Sequence, residues 1–437
     1  MQKSVYIETY GCQMNVADSE LMFGVLLGEG YVRAAEPDGA DVMLVNTCAV
    51  RDNAEQRVIG RVGELQRYKR SGDVLGVVGC MAQRLGPALL ARVPRVDLVV
   101  GPDGYRNLAE LIGMARSGQR VSDTEFRSWE HYEDVPPVRE KGPTAFVTVQ
   151  RGCDYRCTFC IVPKTRGPER SRKLDDVVQE VTALALQGIT EVTLLGQTVN
   201  SYHDGTHDFA DLLRAVGKVD GLRRLRFTSP YPTDFTARVI EAMGTTPAVC
   251  QHVHLPVQSG SNAVLKRMLR RYSRERYLAV MAELRQAIPG ITFSTDIIVG
   301  FPGETDAQFE ETLSLVSEAG FDDAYTFKYS VREGTPAVRL KDHIPDEVAS
   351  ARLERLIDAV RACTRGKNIS RVGEIHEVLV ERPAKRGELM LARTRSNHLV
   401  LVDLPQTSIG EYHEVRLTGT TGSTFTGAVV TPALAVL

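Results

Sequence analysis

The chain has 437 residues, 43% of them apolar and 25% charged, an ordinary globular balance for two or three domains. With 53 Lys and Arg against 55 Asp and Glu, the net charge is −2, which excludes nucleic-acid binding by bulk charge and leaves only local basic patches for that role. No window approaches the ~18–20 consecutive apolar residues of a bilayer span, and Met1–Glu8 has no signal-peptide pattern, so the expectation is a soluble, cytoplasmic protein with no membrane partner.

The first segment alternates apolar runs (Val5–Glu8, Val42–Asn46, Val74–Val78, Val96–Val100) with helical stretches such as Asp18–Leu27 and Ala54–Lys69. This predicts βα units and a doubly wound parallel sheet, since a parallel return needs a crossover helix. Three of the runs lead directly into Cys12, Cys48 and Cys80, 36 and 32 residues apart, about one βα repeat of ~30 residues each. In such a sheet the C-terminal strand ends line one crevice, so the three thiols are expected to meet there as a metal site. The plain alternative is three buried structural cysteines.

Arg116–Lys141 is polar, holds Pro136-Pro137 and has no sustained period; it reads as an interdomain linker, with the only tryptophan, Trp129, pinning it to a surface. Six strand candidates follow: Ala145–Gln150, Glu191–Leu195, Leu225–Thr228, Gln251–Val257, Ile291–Val299 and Ala324–Tyr329. Helical stretches such as Leu174–Gln187, Tyr277–Ala287 and Ala307–Ala319 separate most of them. They predict a partial (βα)6 barrel with its chemistry at the C-terminal strand ends. Pro345–Lys367 is a last amphipathic helix, after which short alternating runs predict a small antiparallel β-barrel of roughly OB size. The domain boundaries expected are 1–117, a linker over 118–142, a core over 143–370 and the β-barrel over 371–435.

Directly after the first core strand stands Arg151-Gly152-Cys153-Asp154-Tyr155-Arg156-Cys157-Thr158-Phe159-Cys160. A zinc ribbon would place a fourth ligand nearby as a second Cys-x2-Cys or a His pair, and none follows. Three thiolates on one loop suit a [4Fe–4S] cluster that leaves one iron open. Cys250 and Cys363 are expected to be structural, and His252 and His254, on one strand face, to pack or hydrogen-bond.

The loop resembles the cluster motif of the radical S-adenosylmethionine enzymes. With Ile7–Asn15, Gly76–Gln83 and the C-terminal barrel, the chain resembles the methylthiotransferases over nearly its whole length, in particular the branch that acts on transfer RNA. The resemblance implies two [4Fe–4S] clusters, held by Cys12/Cys48/Cys80 and Cys153/Cys157/Cys160, and S-adenosylmethionine as both radical source and methyl donor. It further implies sulfur insertion and methylation at C2 of an N6-dimethylallyl (isopentenyl) adenosine next to the anticodon. The partners are then a tRNA anticodon stem-loop and an unidentified low-potential electron donor, with the chain acting as a monomer. The target C2–H is not acidic, so positioned acid–base groups would not suffice and a radical cofactor is required.

By the same resemblance, Gly196 and Gln197 close the second core strand where related enzymes carry Gly-Gly-Glu. They are expected, with Ser229 and Asp296, to line the S-adenosylmethionine site. Three basic tracts are expected to hold RNA: Lys164–Lys173 (Lys164, Arg166, Arg170, Arg172, Lys173), Lys266–Tyr277 (with Arg270 and Arg271), and Arg382, Lys385, Arg386, Arg393 and Arg395 of the last domain. That domain resembles the RNA-binding TRAM module, including Arg393–Asn397. Phosphate contacts would position the RNA and a pocket would select the extruded adenine. Three alternatives are open at this point: a threonylcarbamoyl-adenosine substrate, a ribosomal-protein aspartate substrate, and a non-catalytic, metal-stabilised RNA-binding module.

Overall fold

Val42–Thr47 and Val74–Gly79 are buried at every position, as parallel strands must be when crossover helices cover both faces. In the computed structural model, which describes residues 2–49, 52–385 and 387–430, the first domain is built on six parallel strands. These are β1 (Ser4–Tyr10), β2 (Val32–Arg33), β3 (Val42–Thr47), β4 (Val74–Gly79), β5 (Leu98–Val100) and β6 (Val121–Asp123), in the order β2-β1-β3-β4-β5-β6. One face packs under helices Gln13–Gly28 and Leu108–Arg116, the other under Asp52–Leu65 and Cys80–Leu85, so the sheet is doubly wound as expected. The strand order reverses between β1 and β3, the switch point at which ligands sit in open α/β sheets. Cys12 and Cys48 leave the sheet there.

The expected linker is a strap. Its Val121–Asp123 joins the sheet as β6, and its Glu130 and Tyr132 are buried. Trp129 pins nothing, being 66% exposed. Tyr132 takes that role: its hydroxyl donates to the Pro102 carbonyl at 2.8 Å and accepts the Tyr105 N–H at 3.1 Å.

The core contains β7 (Thr144–Thr148), β8 (Gln150–Arg151), β9 (Arg170–Ser171), β10 (Glu191–Leu195), β11 (Arg224–Phe227), β12 (His252–His254), β13 (Thr292–Val299) and β14 (Asp323–Lys328). They form two three-stranded parallel sheets, β11-β10-β7 and β12-β13-β14, joined by a parallel bridge between Leu225 and Val249. The short antiparallel pair β8–β9 pinches the base of the loop that carries Cys153, Cys157 and Cys160.

After the helix Asp346–Ser370, β15 (Ile375–Pro383), β16 (Met390–Thr394), β17 (Leu399–Val402), β18 (Tyr412–Thr420) and β19 (Thr424–Val429) close into a barrel. It is not wholly antiparallel: β17 and β19 pair in parallel, because closing a five-stranded ring requires one such pair. Arg386 and the last residues of the expected domain, 431–435, lie outside the described residues.

The barrel docks on the starting ends of the core strands. Fully buried Arg224 donates to the Arg393 carbonyl (2.8 Å) and to Glu377 (3.0 Å), and Arg226 to the carbonyls of Thr394 (2.8 Å) and Arg395 (3.0 Å). The cysteine loop leaves the opposite, C-terminal ends. At this seam His398 is buried, its Nδ1 3.0 Å from Ser396 Oγ and its ring edge-on to Phe425. Burial pushes its pKa from 6.5 down to about 4. Between those values the unfolded imidazole binds a proton that the folded one refuses, so stability falls as pH drops through this window, by about 3 kcal/mol in all. Urea titrations at pH 7 and pH 4.5 are expected to show this loss, and His398→Gln to reduce the difference.

Candidate active site at the domain interface

The N-terminal thiols are brought together by the strand ends that carry them. Cys12 caps the helix Gln13–Gly28, the Cys48 N–H donates to the Tyr10 carbonyl at 3.0 Å, and Cys80 opens the helix Cys80–Leu85. Buried Asn15 and Asn46 bind the ends of β1 and β3 to each other: Asn15 Nδ2 donates to Asn46 Oδ1 (3.2 Å) and the Thr47 carbonyl (3.3 Å), and Asn46 Nδ2 to the Asn15 carbonyl (2.7 Å). Gly79 has φ +92°, and a Cβ there would stand 2.4 Å from Asn46 Oδ1, so only glycine can deliver Cys80 to this point. A hydrogen bond with the Cys48 thiol pulls the Cys12 pKa down to about 6; burial opposes this, and the Arg166 charge and the N–H groups of Asn15 and Met14 assist. Cys80 lies deeper, and burial raises its pKa.

The second trio is held as firmly. Gly152 has φ +78°, and an added Cβ would lie 1.9 Å from the Pro168 carbonyl oxygen. Its N–H donates to Gln197 Oε1 at 2.5 Å, and the Cys153 N–H to the Gly167 carbonyl at 3.2 Å. Thr158 fastens the middle of the loop to the carbonyls of Met268 (3.0 Å) and Arg267 (2.9 Å). Cys153 Sγ is 3.2 Å from Thr198 Oγ1, and Arg270 Nη1 donates to Cys157 Sγ at 3.4 Å. Burial and the neighbouring thiols Cys157 and Cys153 push the Cys160 pKa up to about 12.

The segments that carry the two trios touch across the domain boundary. Ala49, Cys80 and Ile161 form one apolar contact group, and Arg166, just past the loop, donates from Nε to Cys80 Sγ at 3.1 Å. Among the described residues no three His, Cys, Asp or Glu side chains close around a single metal ion. A cluster of four irons spreads its ligands around a cube and does not require that closure.

Of the remaining expected residues, Gly196 and Gln197 lie beside the loop, but Gln197 spends its oxygen on Gly152. Ser229, two residues past β11, has φ +58°, and Asp296 faces His254 at 3.4 Å. His252 and His254 hydrogen-bond as expected, to Thr292 (3.0 Å) and Ser294 (2.9 Å). Cys250 is buried, also as expected, and Cys363 Sγ lies 3.6 Å from the Phe321 carbonyl.

The basic tracts need correction. Arg166 is 3% exposed and pairs with Asp18, and Arg170 is buried against Asp103, so neither can reach a phosphate. Arg270 is committed to Cys157, Tyr272 and the Pro256 carbonyl. Arg393 pairs with Glu381, and Arg395 donates to the carbonyls of Pro247 (2.6 Å) and Val249 (3.1 Å), so the segment Arg393–Asn397 fastens the barrel to the core. Lys164, Lys266, Arg271, Arg382 and Lys385 remain exposed.

Residues 4–101 match the family described as Uncharacterized protein family UPF0004, and residues 147–316 match the Radical SAM superfamily. Curated relatives named tRNA-2-methylthio-N(6)-dimethylallyladenosine synthase match over nearly the full length. The one from Carboxydothermus hydrogenoformans is 44% identical over 95% of this chain and 97% of its own. That from Alkalilimnicola ehrlichii is 45% identical over 96% and 95%. The chain belongs to the tRNA-2-methylthio-N(6)-dimethylallyladenosine synthase family. Among solved structures, the radical S-adenosylmethionine methyltransferase TsrM from Kitasatospora setae, determined with cobalamin and a [4Fe–4S] cluster bound, is similar with a TM-score of 0.58 at 16% identity, over 77% of this chain and 74% of its own. The cobalamin-dependent radical enzyme OxsB is similar with a TM-score of 0.53 at 14% identity, over 82% and 56%. Both show a shared fold.

Membership of this synthase family, within the radical S-adenosylmethionine enzymes, implies a [4Fe–4S] cluster and S-adenosylmethionine. The donor set fits such a group: each trio offers three thiols, with Arg166 donating to Cys80 and Arg270 to Cys157. No helix among the described residues is long and apolar enough to cross a membrane. Reading the sequence missed Asn15, Asn46, Thr198 and Asp18 as supports of the thiols. Asn15 stands within the quoted Ile7–Asn15 segment and Asn46 ends the run before Cys48, whereas nothing local marks Thr198 or Asp18 as a support.

Proposed function

We propose that this chain is a tRNA-modifying enzyme that converts N6-dimethylallyladenosine beside the anticodon to its 2-methylthio derivative. Cys153, Cys157 and Cys160 hold the cluster that binds S-adenosylmethionine, and Cys12, Cys48 and Cys80 hold a second one. When bound, these groups would supply the electron that cleaves S-adenosylmethionine to methionine and a 5′-deoxyadenosyl radical, and the sulfur that replaces hydrogen at C2, with a second S-adenosylmethionine supplying the methyl group. The reading is supported by a three-thiol loop and a second set of three cysteines on segments that touch, Cys80 against Ile161 beside Cys160, in a chain whose relatives bear that enzyme's name. Those relatives are named for the dimethylallyl substrate, not for threonylcarbamoyl-adenosine or a protein aspartate.

This chain's own residues then do three things. The Gly152–Gln197 and Thr158–Met268 hydrogen bonds fix the loop at the C-terminal ends of the core strands. Gly196, Ser229 and Asp296 line the S-adenosylmethionine side, on a core we read as one (βα)6 arc joined at Leu225–Val249. Exposed Lys164, Lys266 and Arg271 meet the RNA backbone, with Arg271 over the Tyr155 ring at 5.5 Å and Tyr155 stacked on Tyr231 at 3.8 Å. Arg382 and Lys385 extend that contact on the barrel. The enzyme acts as a cytoplasmic monomer and takes its electrons from an unidentified low-potential donor.

Nucleoside analysis of tRNA from cells lacking this gene is expected to show N6-dimethylallyladenosine without its 2-methylthio derivative, restored by the intact gene. Unchanged methylthio content contradicts the reading. Because a Cβ at Gly152 cannot fit, Gly152→Ala is expected to lose the core cluster, about half the iron, and with it S-adenosylmethionine cleavage, while circular dichroism stays near wild type.

A further inference from the structure

Arg166 belongs to the core, six residues after Cys160, yet its guanidinium lies against the N-terminal trio. Its Nε donates to Cys80 Sγ at 3.1 Å, and its Nη2 stands 2.6 Å from Asp18 Oδ2. Asp18 is fully buried and is shared with Arg151 Nη1 at 3.2 Å and the Tyr105 hydroxyl at 3.3 Å. Two buried guanidinium cations therefore face one carboxylate, leaving the group one positive charge in excess. An unbalanced buried charge is unfavourable unless an anion answers it. The available partners are the sulfurs of the N-terminal trio, of which Cys80 accepts directly from Nε. Among the described residues, Arg166 Nη1 and Nη2 are both buried without a hydrogen-bond partner, Nη2 facing Asp18 as an ion pair, so donors are to spare on this side of the interface.

We propose that Arg166 is a positioning residue for the N-terminal trio: reaching over from the core, it fixes Cys80 through its sulfur and makes the cluster held there easier to reduce. The inference rests on the reading that Cys12, Cys48 and Cys80 hold a cluster. A cation and a hydrogen bond at a ligating sulfur stabilise the more negative, reduced form and so raise its potential. The core trio has its own donor, Arg270 on Cys157, so the effect of Arg166 is confined to the N-terminal cluster. It also ties the properties of that cluster to domain docking, since parting the domains would withdraw the cation.

The test uses the full-length chain with Cys153, Cys157 and Cys160 all replaced by alanine, reconstituted anaerobically with iron and sulfide so that only the N-terminal cluster reports. Potentials are read by redox titration followed by electron paramagnetic resonance, for Arg166, Arg166→Gln and Arg166→Lys. With Gln, the midpoint is expected to move to more negative potential and the spectrum of the reduced cluster to change. Lys keeps the cation but loses the fixed fork, and is expected to shift the midpoint in the same direction by less. A residue that served folding alone would lower the melting temperature and leave the midpoint in place. A midpoint and spectrum unchanged in both variants overturn the inference; should the Gln variant fail to fold, an unchanged Lys variant does so alone. If the parent with Arg166 intact binds no iron, the cluster assignment of the N-terminal trio fails instead, and the role of Arg166 fails with it.

Discussion

Cys157→Ala is expected to abolish 5′-deoxyadenosine formation, lowering it more than ~100-fold. Loss of a residue that only hydrogen-bonds a metal ligand already costs a metal site ~10–100-fold, and this change removes a ligand. Cys157 is buried, and alanine leaves the loop with Cys153 and Cys160 only, too few to hold a cluster with one open iron. The loop itself survives, because Arg270 keeps the Tyr272 hydroxyl at 2.8 Å, the Pro256 carbonyl at 3.1 Å and its place over the Tyr231 ring. High-performance chromatography of the nucleoside products under dithionite checks the result, with circular dichroism as the control for folding.

Cys48→Ala is expected to have the complementary effect. It lies on the N-terminal domain, half-buried at the end of β3, while the core loop is held by Gln197, Thr198, Met268 and Arg267. S-adenosylmethionine cleavage should therefore stay within a few-fold of wild type, whereas the 2-methylthio product falls more than ~100-fold, leaving N6-dimethylallyladenosine unchanged in the RNA. The β1–β3 junction should hold through Asn15 and Asn46, whose hydrogen bonds do not involve Cys48. Loss of both activities in a folded variant would contradict the division of labour between the two trios.

The strands were legible because buried parallel strands are continuous apolar runs, and the thiols because each follows a strand end or sits in one short loop. What could not be read was the partner of each charge. Arg166, Arg170, Arg393 and Arg395 look in sequence like any basic tract, yet Asp18, Asp103, Glu381 and the carbonyls of Pro247 and Val249 claim them through tertiary packing. The strap around Tyr132 is likewise irregular backbone fixed by distant groups, so no periodicity announces it. Trp129 misled because size does not reveal which side of a strap faces solvent.

The most direct measurement is iron and acid-labile sulfide per chain after anaerobic reconstitution, for the intact protein and for two triple variants lacking either Cys12, Cys48 and Cys80 or Cys153, Cys157 and Cys160. About eight irons are expected in the intact chain and about four in each variant. An intact chain that saturates at about four, or an N-terminal triple variant that loses no iron, would contradict it.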